Sequence, residues 1–288
     1  MTAEISPFIG RTYSASDGLS LYYRDYGDAA WDTTPLLCLA GLTRNSADFD
    51  DLAVRMAATG RRVIAPDYRG RGRSAFDPHW QNYSGEVQLG DVATLLTVLN
   101  LHRVVVIGTS FGGLLSMGLA IMRPTVLAGV VLNDVGPEID AAGLSRIANY
   151  IGTPVSLESY EDAARQQMHL FSPAYPDLDE AGWMKMARAS YRQSADGKLV
   201  ADYDLNLGKA LTAAGPPPDL WPSFRALQGI PCLALRGALS DVLSLQTFDR
   251  MAVEVPQLKR MTIPHRGHVP LLTEPTCTEA LDEFLKSL

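Results

Sequence analysis

Cysteine, long apolar runs and basic charge are all scarce, and each shortage closes off a class of protein. Three cysteines, Cys38, Cys232 and Cys277, stand in 288 residues. An odd number does not complete a disulfide framework, and Cys38 and Cys232 sit inside apolar runs, where they read as small core residues. No uninterrupted apolar run approaches the roughly 20 residues that a bilayer span requires. Lys and Arg number 25 against 32 Asp and Glu, a net charge of −7. That balance disfavours nucleic acid or an anionic membrane as a partner, since both need basic surface. The opening stretch MTAEISPFIGRTYSASDG has neither a basic nor an apolar region, so no export signal is expected and a reducing cytoplasm is the expected location. Recognition motifs for bound groups are missing as well. DYRGRGRS, residues 67–74, has the wrong spacing for a phosphate loop and reads as a structural loop whose Arg69 and Arg71 pair with nearby acids. No G-x-G-x-x-G follows a first strand, and no His/Cys/Asp/Glu cluster has metal-ligand spacing. Neither a cofactor nor a metal is expected.

What the chain does contain is alternation. SLYYRDYG, PLLCLAG, RRVIAPD, RVVVIG, LAGVVLND, PCLALRG and LKRMTIP are short apolar runs bounded by Gly, Pro or Asp, as buried parallel strands are. Helical stretches lie between them: residues 91–99, residues 111–121, and the final CTEALDEFLKSL. Strand–helix alternation of this kind predicts an α/β fold with a doubly wound, mostly parallel sheet. One interval breaks the rhythm. Between VVLNDVG and PCLALRG no convincing strand is visible, but Tyr150, Tyr160, Met168, Phe171, Trp183, Met184, Met186, Tyr191 and Tyr203 recur. This predicts a helical insertion over residues 137–227, with the core formed by 1–136 and 228–288. The Pro-rich AAGPPPDLWPS returns the chain to the sheet.

The most informative stretch is VVVIGTSFGGLLS, residues 104–116. GTSFG is a G-x-S-x-G segment at a strand-to-helix junction. A sharp turn there forces Ser110 into a strained backbone conformation and lifts its hydroxyl above the sheet. Gly108, Gly112 and Gly113 leave room for strand and helix to pass closely. The helix beginning near Phe111 aims its positive end at the serine, which favours a developing oxyanion.

A serine hydroxyl needs a base. IPHRGHVPLLTEP places His265 and His268 after the last strand, at the same sheet edge as Ser110. His268 is favoured because Gly267 lets its ring reach back over the strand ends; His79, His102 and His169 lie off this edge. The base in turn needs an orienting carboxylate. Asp241, in LRGALSDVLS, is expected to supply it, although an N-cap role for the following helix would explain it too. Asp134, at the end of VVLNDVGP, is the rival. The order Ser, Asp, His holds for either. Oxyanion donors are expected from the backbone N–H of Phe111 and, in LAGLTRNSADF, that of Leu42, with Gly41 opening the backbone to substrate.

Taken together, GTSFGG, CLAGLTRNSADFD, APDYRGRGRS, VVLNDVGP, LRGALSDVLS and IPHRGHVPLL resemble the α/β-hydrolase family over nearly the whole chain. The likeness is greatest to ester- and lactone-cleaving members with a helical cap, including the 3-oxoadipate enol-lactonase-like branch. The resemblance implies that the insertion is a lid over the active site. Many members carry His before the oxyanion-loop glycine; Ala40 stands there in this chain, which implies a roomier pocket floor.

The expected chemistry is therefore cleavage of a carboxylic ester or lactone, a small molecule, through an acyl-enzyme on Ser110. C–C bond hydrolysis or cofactor-free perhydrolysis on the same scaffold are alternatives, as is a non-catalytic ligand receptor. The aromatic and Met content of the insertion suggests a mostly apolar substrate. Trp183 is expected to meet it, and Arg44 either meets a substrate carboxylate or serves as an ion-pair partner. Self-association into a homo-oligomer is left open by the sequence.

Overall fold

The computed structural model describes residues 7–215 and 217–288. The first six residues of the opening stretch and Pro216 of the Pro-rich return lie outside the described residues. Among the described residues ten strands form: β1 (Ile9–Ser14), β2 (Ser20–Tyr26), β3 (Leu36–Leu39), β4 (Val63–Pro66), β5 (Val104–Thr109), β6 (Leu127–Asn133), β7 (Tyr191–Gln193), β8 (Leu199–Ala201), β9 (Cys232–Gly237) and β10 (Lys259–Ile263). Eight of them make one sheet in the order β1-β2-β4-β3-β5-β6-β9-β10. β2 runs antiparallel to both of its neighbours, and every pairing from β4 through β10 is parallel.

The continuous apolar runs explain the centre of the sheet. Every residue of β3, β4, β5 and β6 is buried, as strands covered on both faces must be. The covering helices include α1 (Asp50–Ala58), α2 (Gly85–Val98) and α3 (Phe111–Met122). α2 begins six residues before the stretch whose periodicity marked it. Its start is set by the Ser84 hydroxyl, which accepts from the Val87 N–H as an N-cap. β1 is absent from the apolar runs because five of its six residues are exposed on the sheet edge.

Between β6 and β9 the chain forms α4 (Ala141–Tyr150), α5 (Tyr160–Phe171), α6 (Glu180–Ser190), α7 (Leu207–Ala213) and α8 (Trp221–Arg225). Two features differ from the sequence expectation. The segment is not purely helical: β7 and β8 form an antiparallel hairpin turned by Ser194–Gly197, with Ser194 N–H donating to Lys198 O. The return to the core also begins before residue 228. Trp221, Phe224 and Leu227 pack into the main core with the sheet, so the segment that stands apart ends upstream of α8. The last two helices, α9 (Leu245–Glu254) and α10 (Pro275–Lys286), flank the final strands in sequence. Among the described residues, no helix is long and apolar enough to cross a membrane.

Candidate active site

The carboxyl ends of β3, β5, β6, β9 and β10 open on one edge of the sheet, where α/β sheets bind ligands. β5 ends at Thr109 and α3 starts at Phe111, so Ser110 alone makes the turn. Its φ is 51° and ψ −113°, a costly conformation for a residue with a Cβ. The surroundings hold it there: its N–H donates to Asn133 O at 3.0 Å, and its own carbonyl accepts from Gly113 N–H at 2.8 Å. A side chain on Gly112 would collide with the Leu39 carbonyl, and one on Gly108 with the Gly112 backbone. The glycines of GTSFG thus set how closely the helix crosses the strands.

Ser110 Oγ lies 2.8 Å from His268 Nε2, and His268 Nδ1 lies 2.8 Å from Asp134 Oδ2. Asp134 is fully buried and the imidazole nearly so. An ionised carboxylate only accepts, so Nδ1 carries the proton and Nε2 is left to accept from the serine hydroxyl.

The acid on the imidazole is therefore Asp134 and not Asp241. Asp134 follows β6 with φ 55°, a left-handed position that Asp tolerates better than most residues. Its carboxylate meets three donors. Gly237 N–H reaches Oδ1 at 2.8 Å, while the Ser240 hydroxyl, at 2.6 Å, and His268 Nδ1 share Oδ2. Asp241 faces the insertion, in a two-point ion pair with Arg146 of α4 (2.5 and 2.8 Å). Hydrogen bonding to that guanidinium holds the Asp241 carboxyl below the usual carboxylate range. The loop after β9 does serve the site, but through Ser240, one residue earlier. A serine in that loop carries no signal that would single it out.

A cavity of about 290 Å³ opens on Ser110 and His268. Gly41, Leu42 and Thr43 line it from the core, and Ile147, Tyr150, Phe171, Tyr175 and Met186 from the insertion. Phe111 is the first residue of α3, so its N–H has no partner within the helix. The Leu42 peptide is fixed from behind by Arg71, whose Nε–H donates to Leu42 O at 2.9 Å.

Four further expectations meet the structure. Arg69 pairs with Asp17, Asp77 and Asp91 as expected. Arg71 is different: its bonds go to the carbonyls of Leu42 and Arg69, and full burial pushes its guanidinium down to about 10. Arg44 lines the cavity but is engaged by Asp48, with Nε to Oδ2 at 2.8 Å, and by the Ser190 hydroxyl. This is the ion-pair alternative for Arg44. Trp183 is not part of the cavity wall; it is buried and packs edge-on against Tyr175, ring centres 6.0 Å apart, and it is Tyr175 that faces the cavity. Ala40, too, is absent from the wall and lies buried with its carbonyl accepting from the Tyr68 hydroxyl.

Known proteins are similar to this one over most of the chain. The profile of the "Alpha/beta hydrolase family" matches residues 36–277. The 3-hydroxybutyrate-oligomer hydrolase of Cupriavidus necator is 32% identical over 273 residues, 91% of each chain. The sn-1-specific diacylglycerol lipase ABHD11 of Mus musculus is 29% identical over 255 residues, 84% of this chain and 76% of the lipase. The crystal structure of an alpha/beta hydrolase from Novosphingobium aromaticivorans superimposes with a TM-score of 0.93. It is 40% identical and covers 99% of this chain and 100% of its own. With its doubly wound sheet and its serine turn after β5, the chain belongs to the alpha/beta hydrolase family.

Proposed function

We propose that the protein is a serine hydrolase that cleaves carboxylic esters, lactones among them, through an acyl-enzyme. The observation that carries this reading is the unbroken line from Ser110 Oγ through His268 to the buried Asp134 carboxylate. Ser110 attacks the ester carbonyl as His268 Nε2 takes its proton. The charge that develops on the carbonyl oxygen falls to the N–H groups of Leu42 and Phe111, each worth about 3 kcal/mol of barrier in comparable sites. The imidazolium returns the proton to the leaving alkoxide, giving an alcohol and an acyl group on Ser110. Water, deprotonated by the same imidazole, then releases the acid and restores the serine. Asp134 holds the imidazole in the tautomer that each step needs.

The insertion acts as a cap in this reading, because ten of the 27 residues that line the cavity belong to it. The similarity to a hydrolase of 3-hydroxybutyrate oligomers supports short hydroxyacyl oligoesters as the first substrates to assay. Three buried free cysteines fit a cytoplasmic location. The test uses a fluorophosphonate probe together with a panel of p-nitrophenyl esters, 3-hydroxybutyrate oligomers and lactones. Wild type should be labelled and turn over at least one class, and Ser110→Ala should lose both. Labelling retained in Ser110→Ala would overturn the reading.

A further inference from the structure

The residues on either side of His268 are bonded to the insertion, while the sheet side holds the loop one residue farther out, where Asn133 Nδ2–H donates to Pro270 O at 2.9 Å and Leu239 N–H to Arg266 O at 2.8 Å. On one side, Gly267 N–H donates to Ala174 O at 2.7 Å. On the other, the Tyr175 hydroxyl donates to Val269 O at 2.8 Å and accepts from Val269 N–H at 2.9 Å. One side chain therefore satisfies both polar groups of the residue after the histidine. The contact is close-packed: a side chain on Gly267 would collide with Ala174. Tyr175 is itself 5% exposed, braced by Trp183 and facing the cavity.

We propose that Tyr175 is a positioning residue that makes the base dependent on the cap. While the segment at Ala174 and Tyr175 is docked, the imidazole is held between Ser110 and Asp134. When that segment lifts, Gly267 and Val269 lose three hydrogen bonds, and the stretch that carries the imidazole is pinned only at Arg266 and Pro270, which leaves the ring free to drift from Ser110. Ester cleavage is then confined to the closed state, in which the cavity is walled on both sides. Burial raises the Tyr175 phenol well above its ordinary range, through desolvation first, so the hydroxyl keeps the proton that it donates to Val269. The inference rests on the serine-hydrolase reading only in taking His268 as the base.

Tyr175→Phe tests it, because the ring keeps its contact with Trp183 and only the hydroxyl goes. The expected result is a parallel fall in kcat and in the rate of fluorophosphonate labelling, by about a hundredfold, as small misplacements of reacting groups produce. KM should stay within about threefold, since the cavity wall is unchanged. Nitrogen-15 NMR of the histidine ring gives a readout independent of turnover: the His268 Nδ1–H signal, sharp in wild type, should broaden in the variant. A folded Tyr175→Phe with unchanged labelling, kcat and Nδ1–H signal would overturn the proposal. A wild type that shows the Nδ1–H signal but neither labels nor turns over would overturn the hydrolase reading instead, and the signal in the variant would still decide the role of Tyr175. Should the variant not fold, hydrogen exchange in wild type decides. The Gly267 and Val269 amides should open together with α6; opening with β10 instead would refute the dependence on the cap.

Discussion

Changing Asp134 to Asn keeps the shape of the side chain and inverts one hydrogen bond. The environment dictates how the amide must lie. Gly237 N–H faces Oδ1 and is an obligate donor, so the amide oxygen has to take that side. The amide NH2 then faces His268 Nδ1, 2.8 Å from the present Oδ2. Two donors cannot share that contact, and the imidazole must shift its proton to Nε2. There it points at Ser110 Oγ, and the nitrogen that should accept the serine proton is already protonated. Loss of the working tautomer costs about 10⁴ in kcat in serine–histidine–aspartate sites, equivalent to about 5.5 kcal/mol of barrier. Asp241→Asn should behave quite differently. It weakens an ion pair whose members are about one-third exposed, which is worth about 1 kcal/mol or less, and it leaves the imidazole untouched. Steady-state kcat on p-nitrophenyl butyrate, normalised by active-site titration, should therefore fall by three to four orders of magnitude in Asp134→Asn. In Asp241→Asn it should change less than about threefold. Thermal melts of both variants establish that they fold. The reverse ranking, or equal small losses, would refute the assignment of the acid.

Trp183→Ala should destabilise the protein by about 3–5 kcal/mol, as truncation of a buried indole does; a melt that barely moves would contradict its place behind Tyr175. Chain-length preference should instead respond to Met186→Ala, which widens the cavity wall, and an unchanged preference across the p-nitrophenyl ester panel would show that acyl chains lie elsewhere. Asp202 has its carboxyl pushed up to about 6, by burial first and then by the charge of Asp67. The fold thus binds a proton that the unfolded chain releases near 3.8, so stability from this group is present at low pH and is lost as pH rises through about 6. Asp202→Asn should accordingly gain about 1–2 kcal/mol at pH 8 and only about a third of that at pH 4.5, where the unfolded carboxyl has already released most of its proton, measured by urea unfolding; an equal gain at both values would refute the linkage. Asp91→Ala leaves the buried Arg69 without its two-point partner and should cost about 3–5 kcal/mol, read from the same unfolding curves.

The sheet was legible because its central strands are buried on both faces, and continuous apolar runs between Gly, Pro and Asp have few other uses. The serine turn was legible for a related reason: two glycines at fixed offsets answer a steric demand that Leu39 and Gly112 make visible. The site read less well wherever a choice depended on which way a side chain points. Asp134 and Asp241 end neighbouring strands, and only the positive φ at Asp134 and the presence of Arg146 on α4 separate them. Arg146 lies 95 residues away from Asp241, beyond any local pattern. The hairpin of the insertion was not expected, because three-residue strands are too short for alternation to register, even with the Asp-Gly pair at 196–197 in its turn. Tyr175 was one tyrosine among several, and nothing local distinguishes the hydroxyl that reaches Val269.

The division of labour across the cavity bears on how such an enzyme could be rebuilt. Every group that handles charge in the proposed mechanism stands on loops of the sheet, whereas much of the surface that would sort substrates is carried by one contiguous stretch between β6 and β9. That invites transplantation: exchange the stretch, keep the sheet, and obtain a new selectivity. The bonds from Ala174 and Tyr175 to Gly267 and Val269 set a condition on the exchange. A donor segment with the right pocket but no hydroxyl at the Val269 peptide would, on the proposed role of Tyr175, yield a chimera that admits its substrate and cleaves it about a hundredfold more slowly. Grafts chosen for that one contact, ahead of overall likeness, are the ones expected to work.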